Sequence, residues 1–371
     1  MKQSSDKKTR MIIYGIAIFF LGVFLTYGIL YKFPSIFQET ITKIEKDVTI
    51  TDDGIADAVE KVYDSVIIVN TYKNGKDYSS GSGFIYQNDN KVSYIITNYH
   101  VIEDGDEYKI TYTDGTVVEA KLLGGDQYAD IAVLKVALKK DFDAVNIGST
   151  GSLRVGDTTF TVGAPLDDTV YSWTVTRGII SGKERLVEVS LENSYNTDYI
   201  MNVLQTDAAV NSGNSGGPLC NSNGEVIGVI NAKISSSGVE GMGFAIPIEM
   251  AIEKAENIIQ GEASEYPYLG ISMLNVSNIR SIPQYYGYLE NSKLQSGVMV
   301  IDVEKNSSAD NAGLRTGDII IKINSTEISN VAYLRYELYK YDIGDTIKIL
   351  IERDGTNKEI SLKLSSKMQK S

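Results

Sequence analysis

GNSGGP, residues Gly213 to Pro218, sets a serine among glycines. There the chain can turn sharply and aim successive backbone N–H groups at one point. A nucleophilic hydroxyl and the donors for an oxyanion can share such a turn. An ordinary Gly/Ser/Asn loop is the plain alternative, and the hexapeptide alone does not choose between them. The same residues satisfy G-x-S-x-G, a strand-to-helix elbow whose histidine follows the serine in the chain. Here the single histidine, His100, comes before it. His100 ends a strand-like run (SYIITNYHVI), and Asp130 opens another (YADIAVLKV).

The chain order His, Asp, Ser is that of chymotrypsin-like barrels, whereas subtilisin's order places the aspartate first and needs a parallel sheet. The surrounding sequence fits the antiparallel choice. Between Val66 and Ile246 the apolar stretches are short, rich in Val, Ile, Thr and Tyr, and punctuated by Asp114-Gly115, Gly124-Gly125 and Asn223-Gly224. Strands are expected at Val66–Tyr72, Gly83–Tyr86, Tyr94–Thr97, Tyr108–Tyr112, Ile131–Val136, Thr158–Val162 and Val226–Ala232. A doubly wound parallel sheet is disfavoured. Pro247–Gln260 reads as a helix: Pro suits its first turn, Ile248, Ile252, Ala255 and Ile259 share a face, and Gly261 stops it.

At 371 residues and 43% apolar content, the chain exceeds what one core usually organises. The formal net charge of -13 would repel phosphate backbones, which argues against nucleic acid as a partner. One cysteine, Cys220, rules out an intrachain disulfide, and one histidine rules out a zinc site built on several imidazoles. No metal or other cofactor is expected. Cys220, five positions after Ser215, reads as a small buried hydrophobe and not a rival nucleophile.

Met11 to Tyr31 (MIIYGIAIFFLGVFLTYGILY) carries no charge and is long enough as a helix to cross a ~30 Å hydrocarbon layer. The run exceeds a signal-peptide core, and no small-x-small cleavage site follows. Lys2, Lys7, Lys8 and Arg10 precede it and place residues 1–10 in the cytoplasm, with the rest of the chain on the far side. Residues 32–53 are polar and mixed in charge and read as a tether. Ile55, Val59, Val62 and Val66 then recur at helical spacing and open the globular part.

A serine hydroxyl is a weak nucleophile at neutral pH and needs a base, which in turn needs a carboxylate to fix its tautomer. His100, Asp130 and Ser215 supply the three parts. By chemistry alone Asp130 is the least determined, since many aspartates lie between His100 and Ser215. GSGFIY (Gly81–Tyr86), TNYHVI (Thr97–Ile102), ADIAVLKV (Ala129–Val136), QTDAAVNSGNSGGPL (Gln205–Leu219), GEVIGV (Gly224–Val229) and GMGFAIP (Gly241–Pro247) together resemble the HtrA/Deg family of trypsin-like serine proteases. The resemblance implies two six-stranded barrels over residues 54–262 with the triad in the cleft between them. It makes His100 the base, Asp130 the orienting carboxylate and Ser215 the nucleophile, with the N–H groups of Gly213, Asn214 and Ser215 facing the oxyanion. It also places Ala209, Asn231, Ala232 and Lys233 around the primary specificity pocket. Ala209 offers no carboxylate to Arg or Lys, so small or aliphatic P1 side chains are expected. A solvated ammonium is the ordinary alternative for Lys233. The loop Ser235–Gly238 matches in position one that helps order the active site in the family.

YPYLGI (Tyr266–Ile271) and SGVMVIDVEKNSSADNAGLRTGDIIIKINSTEI (Ser296–Ile328) resemble a PDZ domain, expected over residues 266–367. The resemblance makes Tyr268, Leu269, Gly270 and Ile271 the carboxylate loop, where backbone N–H groups form a nest beside a strand edge open to β-augmentation. A helix near Val331–Tyr339 supplies the other wall. Ser308 and Ser325 depart from the Pro and Gly common in the family, and Tyr285–Asn291 reads as an insertion whose tyrosines pack. The expected protein is a membrane-anchored extracytoplasmic endopeptidase, a homotrimer acting on misfolded or exposed polypeptides, its PDZ domain taking peptide C-termini or apolar segments. An inactive membrane-tethered PDZ scaffold or chaperone is the alternative.

Overall fold

The computed structural model describes residues 2–32, 53–89, 91–137, 142–164, 173–189, 199–234, 241–262 and 265–365. They fall into two units, Met1–Gly54 and Ile55–Ser371, taken separately below. The expected tether, except its end residues, and the loop Ser235–Gly238 lie outside the described residues.

The first unit holds a helix, Lys2–Lys32, of 31 residues. At 1.5 Å per residue it is about 46 Å long. Its described apolar side chains, among them Ile16, Phe19, Phe20, Val23 and Phe24, are exposed. Among the described residues no helix is long and apolar enough to cross a membrane. The described side chains in the apolar part run unbroken only over 14–28, because those of Ile12, Ile13, Ile29 and Leu30, which complete the expected span, lie outside them.

The second unit is mainly β. A short helix, Asp53–Tyr63, lies in this unit from Ile55 onward and buries Ala58 and Val62. Strands β1 (Val66–Lys73), β2 (Lys76–Asp89), β3 (Val92–Thr97), β4 (Glu107–Thr111), β5 (Val117–Asp126) and β6 (Ile131–Ala137) close into an antiparallel barrel in the order β1-β2-β3-β6-β5-β4. Successive residues of a strand face opposite sides. Thus Ile67, Val69, Ile85, Ile95, Ala132 and Leu134 fill the barrel, while Val66, Phe84, Ile96, Ile131 and Val133 face outward into a shared core. That outward face is as buried as the inner one, so Ile131–Leu134 of β6 are all buried with no polar alternation.

A second barrel covers it. Strands β7 (Asn146–Ile147), β8 (Thr158–Gly163), β9 (Thr174–Val189), β10 (Tyr199–Thr206), β11 (Pro218–Asn221), β12 (Glu225–Ile230) and β13 (Gly243–Pro247) follow the order β11-β8-β9-β10-β13-β12-β7. An additional β11–β12 pairing closes six of them into a ring. Phe160, Val162, Val203, Val229 and Ile246 meet the first barrel in the shared core, while Leu204, Leu219, Ile227, Ile230 and Ala245 form a separate interior. The strand expected to run to Ala232 stops at Ile230, because Ala232–Ile234 turns into a 3-10 helix. The helix after β13 spans Ile248–Gln260, Pro247 belonging to the strand, and Gly261 ends it at φ +80. Ile248, Ala251, Ala255 and Ile258 are its buried stripe.

The C-terminal part has β14 (Ile271–Asn275), β15 (Val298–Val303), β16 (Ile319–Ile323), β17 (Thr326–Glu327), β18 (Thr346–Arg353) and β19 (Thr356–Lys363), in the order β14-β15-β16-β18-β19 with β17 on β16. A helix, Val331–Leu338, buries Leu334 and Leu338 against Val300, Ile320 and Ile347 in this sheet's core. The insertion forms a 3-10 helix, Pro283–Leu289. Its Tyr288 ring lies 2.6 Å from where a Cβ on Gly317 would fall and Tyr285 packs on a small core cluster, but Tyr286 and Tyr288 are 48% and 45% exposed, so the expected packing holds only in part.

Candidate active site

His100 sits on a single helical turn, Tyr99–Ile102, directly after β3, and Asp130 lies just before β6, the strand paired with β3. The pairing brings the two side chains together. His100 Nδ1 meets Asp130 Oδ2 at 2.7 Å, and the His100 backbone N–H donates to Asp130 Oδ1 at 2.9 Å. With Nδ1–H held by the carboxylate, the neutral imidazole leaves Nε2 as the atom able to take a proton. Asp130 is 3% exposed and holds φ +52, an unusual backbone conformation for a side-chain-bearing residue. Its own carbonyl accepts from Asn98 Nδ2 at 2.9 Å.

Ser215 belongs to the second barrel, yet its turn is clamped to β2 of the first. Ser82 N–H donates to the Ser215 carbonyl at 2.8 Å, Ser82 Oγ donates to the Gly213 carbonyl at 2.7 Å, and Thr97 Oγ1 donates to the Ser82 carbonyl at 2.7 Å. Gly216, at φ +84, comes so close to this strand that an added Cβ would lie 2.2 Å from the Ser82 carbonyl oxygen. Only glycine serves there. The N–H of Gly216 donates to the Ile230 carbonyl, which draws the end of β12 over the turn.

Asn231 and Ala232, adjacent in the chain, then join the two halves. Asn231 Nδ2 donates to Asp130 Oδ2 at 2.8 Å, and Ala232 N–H donates to Ser215 Oγ at 3.1 Å. Consecutive residues are 3.8 Å apart between Cα atoms. The serine hydroxyl and the His100–Asp130 pair therefore share one cleft between the barrels. Among the described residues no hydrogen bond joins Ser215 Oγ to His100, and the bond to Ala232 N–H holds that oxygen.

The oxyanion donors narrow from the expected set. Asn214 N–H donates to the Asn211 carbonyl at 3.0 Å, so it is spent, and Gly213 and Ser215 N–H are left without partners among the described residues. Asn231 also departs from its expected place in the pocket wall, because its amide is turned onto Asp130 and it is 1% exposed. Ala209 is exposed, and its carbonyl accepts from Thr176 Oγ1 and Asn214 Nδ2. Lys233 is half-buried next to Ala232, and its N–H donates to Asn231 Oδ1 at 3.1 Å. Cys220 is fully buried in β11, and burial pushes its thiol up, away from the reactive thiolate. Among the described residues no cluster of His, Cys, Asp and Glu could hold a metal.

At the other site, Gly270 takes φ +77, and Leu269 is buried while its carbonyl accepts Ala309 N–H. A groove of about 400 Å³ runs between the segment Tyr266–Ile271 and the helix residues Leu334 and Leu338. Tyr128, from the loop before Asp130, forms part of its wall. Asn98 and Tyr128 are neighbours of Asp130 that sequence reading did not single out, and Asn231, expected in the pocket wall, bonds Asp130 instead. Asn98 and Asn231 reach Asp130 across 32 and 101 positions, and no local pattern marks those contacts.

Residues 81–229 match a family model for the trypsin-like peptidase domain, and residues 267–364 match one for the PDZ domain. The chain is 41% identical to "Serine protease Do-like HtrA" of Bacillus subtilis over 78% of its own length, and spans 64% of that relative, less than two thirds. It is 36% identical to "Serine protease Do-like HtrB" of the same organism, covering 86% of this chain and 72% of the relative. Among solved structures, "HtrA-type protease AlgW with decapeptide" superposes with a TM-score of 0.64 at 28% identity, over 85% of this chain and 99% of that one. The serine endoprotease from Yersinia pestis gives 0.62 at 28% identity, over 86% of this chain and 100% of that one.

Proposed function

This chain belongs to the HtrA family of trypsin-like serine proteases carrying a PDZ domain, and from that premise we propose that it cleaves misfolded or exposed polypeptides by Ser-His-Asp acyl-enzyme chemistry outside the cytoplasm. Ser215 Oγ attacks the scissile carbonyl as His100 Nε2 takes its proton. Asp130 holds the Nδ1–H and stabilises the imidazolium that forms. The N–H groups of Gly213 and Ser215 receive the negative charge on the carbonyl oxygen. His100 then gives its proton to the leaving amine, and a water, activated by the same imidazole, releases the acyl group from Ser215. The observation that carries this reading is the pairing of Asp130 with His100 at 2.7 Å, one residue step from the contact that holds Ser215 Oγ.

Substrate binding must bring Ser215 Oγ, which here accepts from Ala232 N–H, within reach of His100 Nε2, as catalytic hydrogen bonds often tighten in the substrate complex. Ala209 and Lys233 line the P1 side, which favours small or aliphatic residues there. The groove at Tyr268, Leu269, Gly270 and Ile271 takes peptide C-termini or apolar segments. Met11–Tyr31 anchors the chain, supported by the mostly apolar, exposed side chains described in this stretch and by the lysines and arginine before it. Assembly as a homotrimer completes the reading.

An unfolded protein offered to the full-length chain should be cut mainly after Ala, Val, Leu or Ile, with cleavage absent in Ser215→Ala. Cleavage dominated by Arg or Lys at P1 would contradict the pocket assignment. Absence of cleavage by wild type, with peptide binding intact, would favour the scaffold reading.

A further inference from the structure

Asp126 lies four residues before Asp130 and takes no part in the chemistry above, yet its carboxylate is 2% exposed and fully engaged. Oδ1 accepts the N–H groups of Tyr128 and Ala129, both at 3.0 Å, which closes the turn that delivers Asp130. Oδ2 accepts the phenol of Tyr266 at 2.5 Å. A buried carboxylate needs such donors, and one left unpaired is expensive. Tyr266 stands 140 positions further on, just before the segment that matches the PDZ domain. Burial and the adjacent Asp126 charge push its phenol well above the ordinary tyrosine range, so it stays a donor.

The ring of Tyr266 is also held in place. It packs 5.1 Å from Tyr128 and 4.4 Å from Tyr339, centroid to centroid, and Tyr128 in turn meets Tyr199 at 5.8 Å. Tyr128 belongs to the Asp126 turn, Tyr199 to the second barrel, and Tyr339 follows the helix Val331–Leu338. At the end of the turn Asp130 holds its positive φ, which a non-glycine residue keeps only where its surroundings fix it.

We propose that Tyr266 is a positioning residue for the candidate catalytic carboxylate: its hydrogen bond to Asp126 fixes the Asp126–Asp130 turn and thereby holds Asp130 against the His100 imidazole. This rests on the Ser-His-Asp reading given above. The C-terminal part then supplies a donor that the protease site needs even with the peptide groove empty.

The test uses the full-length chain. Tyr266→Phe keeps the packed ring and removes only the donor. It should lower kcat by about tenfold or more, on the scale of small misplacements of reacting groups, with KM within about twofold of wild type. The chain has one histidine, so the low-field proton resonance of imidazolium Nδ1–H has a single source, and it should shift or broaden in the same variant. Asp126→Asn, which keeps an oxygen for the two N–H groups, should give a smaller loss in the same direction. Tyr341→Phe removes a different phenol, one that meets Glu337 and Asn324, and should change neither readout. The proposal is overturned if Tyr266→Phe keeps the wild-type kcat, or if kcat falls while the Nδ1–H resonance stays in place. A wild-type chain that cleaves nothing would instead defeat the triad reading, and this proposal with it.

Discussion

Asn231 carries a precise assignment at the scale of single residues. Its amide donates to the same Asp130 oxygen that receives Nδ1–H, so its loss leaves a buried carboxylate short of a donor. Asn231→Ala should reduce kcat by about tenfold or more with little change in KM, because the lost contact serves the reacting groups and not substrate binding. Asn231→Ser, which can still donate, should recover part of the loss. Steady-state kinetics on one peptide substrate decides between this and a pocket role, which would raise KM instead. Of the candidate triad, His100 and Ser215 were legible because one histidine left no competing base and chain order separated two folds that share G-x-S-x-G, while Asp130 was singled out by the family resemblance. Asn231 was not legible as a partner of Asp130, since the bond spans 101 positions and depends on how β12 ends.

At the scale of elements, short β-branched runs marked β1, β2, β3, β4 and β6 of the first barrel and β8 and β12 of the second, while the long β9 and β10 were not singled out. The ends of the marked strands were not legible. β12 ends at Ile230, whose N–H donates to the Gly217 carbonyl and whose carbonyl accepts from Gly216 N–H, a tertiary condition that leaves no trace in local sequence. Two element contacts give predictions. Asp318, 0% exposed between β15 and β16, accepts Arg353 Nε at 2.6 Å and Nη2 at 2.7 Å from β18. Arg353→Met strands that buried charge and should cost about 3–5 kcal/mol in the C-terminal part, read as a lower denaturation midpoint. A loss below about 1 kcal/mol would show the pair to be no more than a surface bridge.

The second contact joins β2 to the helix Ile248–Gln260, where Tyr86 donates to Glu256 at 3.0 Å. Burial first, and then that hydrogen bond, push the Tyr86 phenol up to about 12. A raised folded value means that the contribution is whole below the ordinary tyrosine value near 10 and is lost as pH rises from there through about 12. Melting temperatures should fall over that window, and less steeply in Tyr86→Phe. An equal slope in the variant would remove Tyr86 from the account.

Over the whole molecule, charge and residue scarcity did most of the exclusion, while the two similarities to trypsin-like and PDZ domains supplied the architecture. The Tyr266–Asp126 link lay beyond reach of the sequence, because it depends on how the part after Glu265 docks against the barrels. The anchor is argued from composition, and it predicts that the full-length chain stays with membranes through alkaline extraction while a chain starting at Lys32 does not. Retention of the shortened chain would move the membrane contact elsewhere. Sedimentation of that shortened chain should give the mass of three copies, and a monomer would remove the trimer from the account.

The central claim is that one imidazole activates Ser215, and covalent labelling tests it most directly. A fluorophosphonate probe should modify the native chain once, with the adduct mapped by mass spectrometry to Ser215 and its formation slowed by orders of magnitude in His100→Ala. An unlabelled native chain, or labelling at Ser215 that proceeds equally fast without His100, would contradict it.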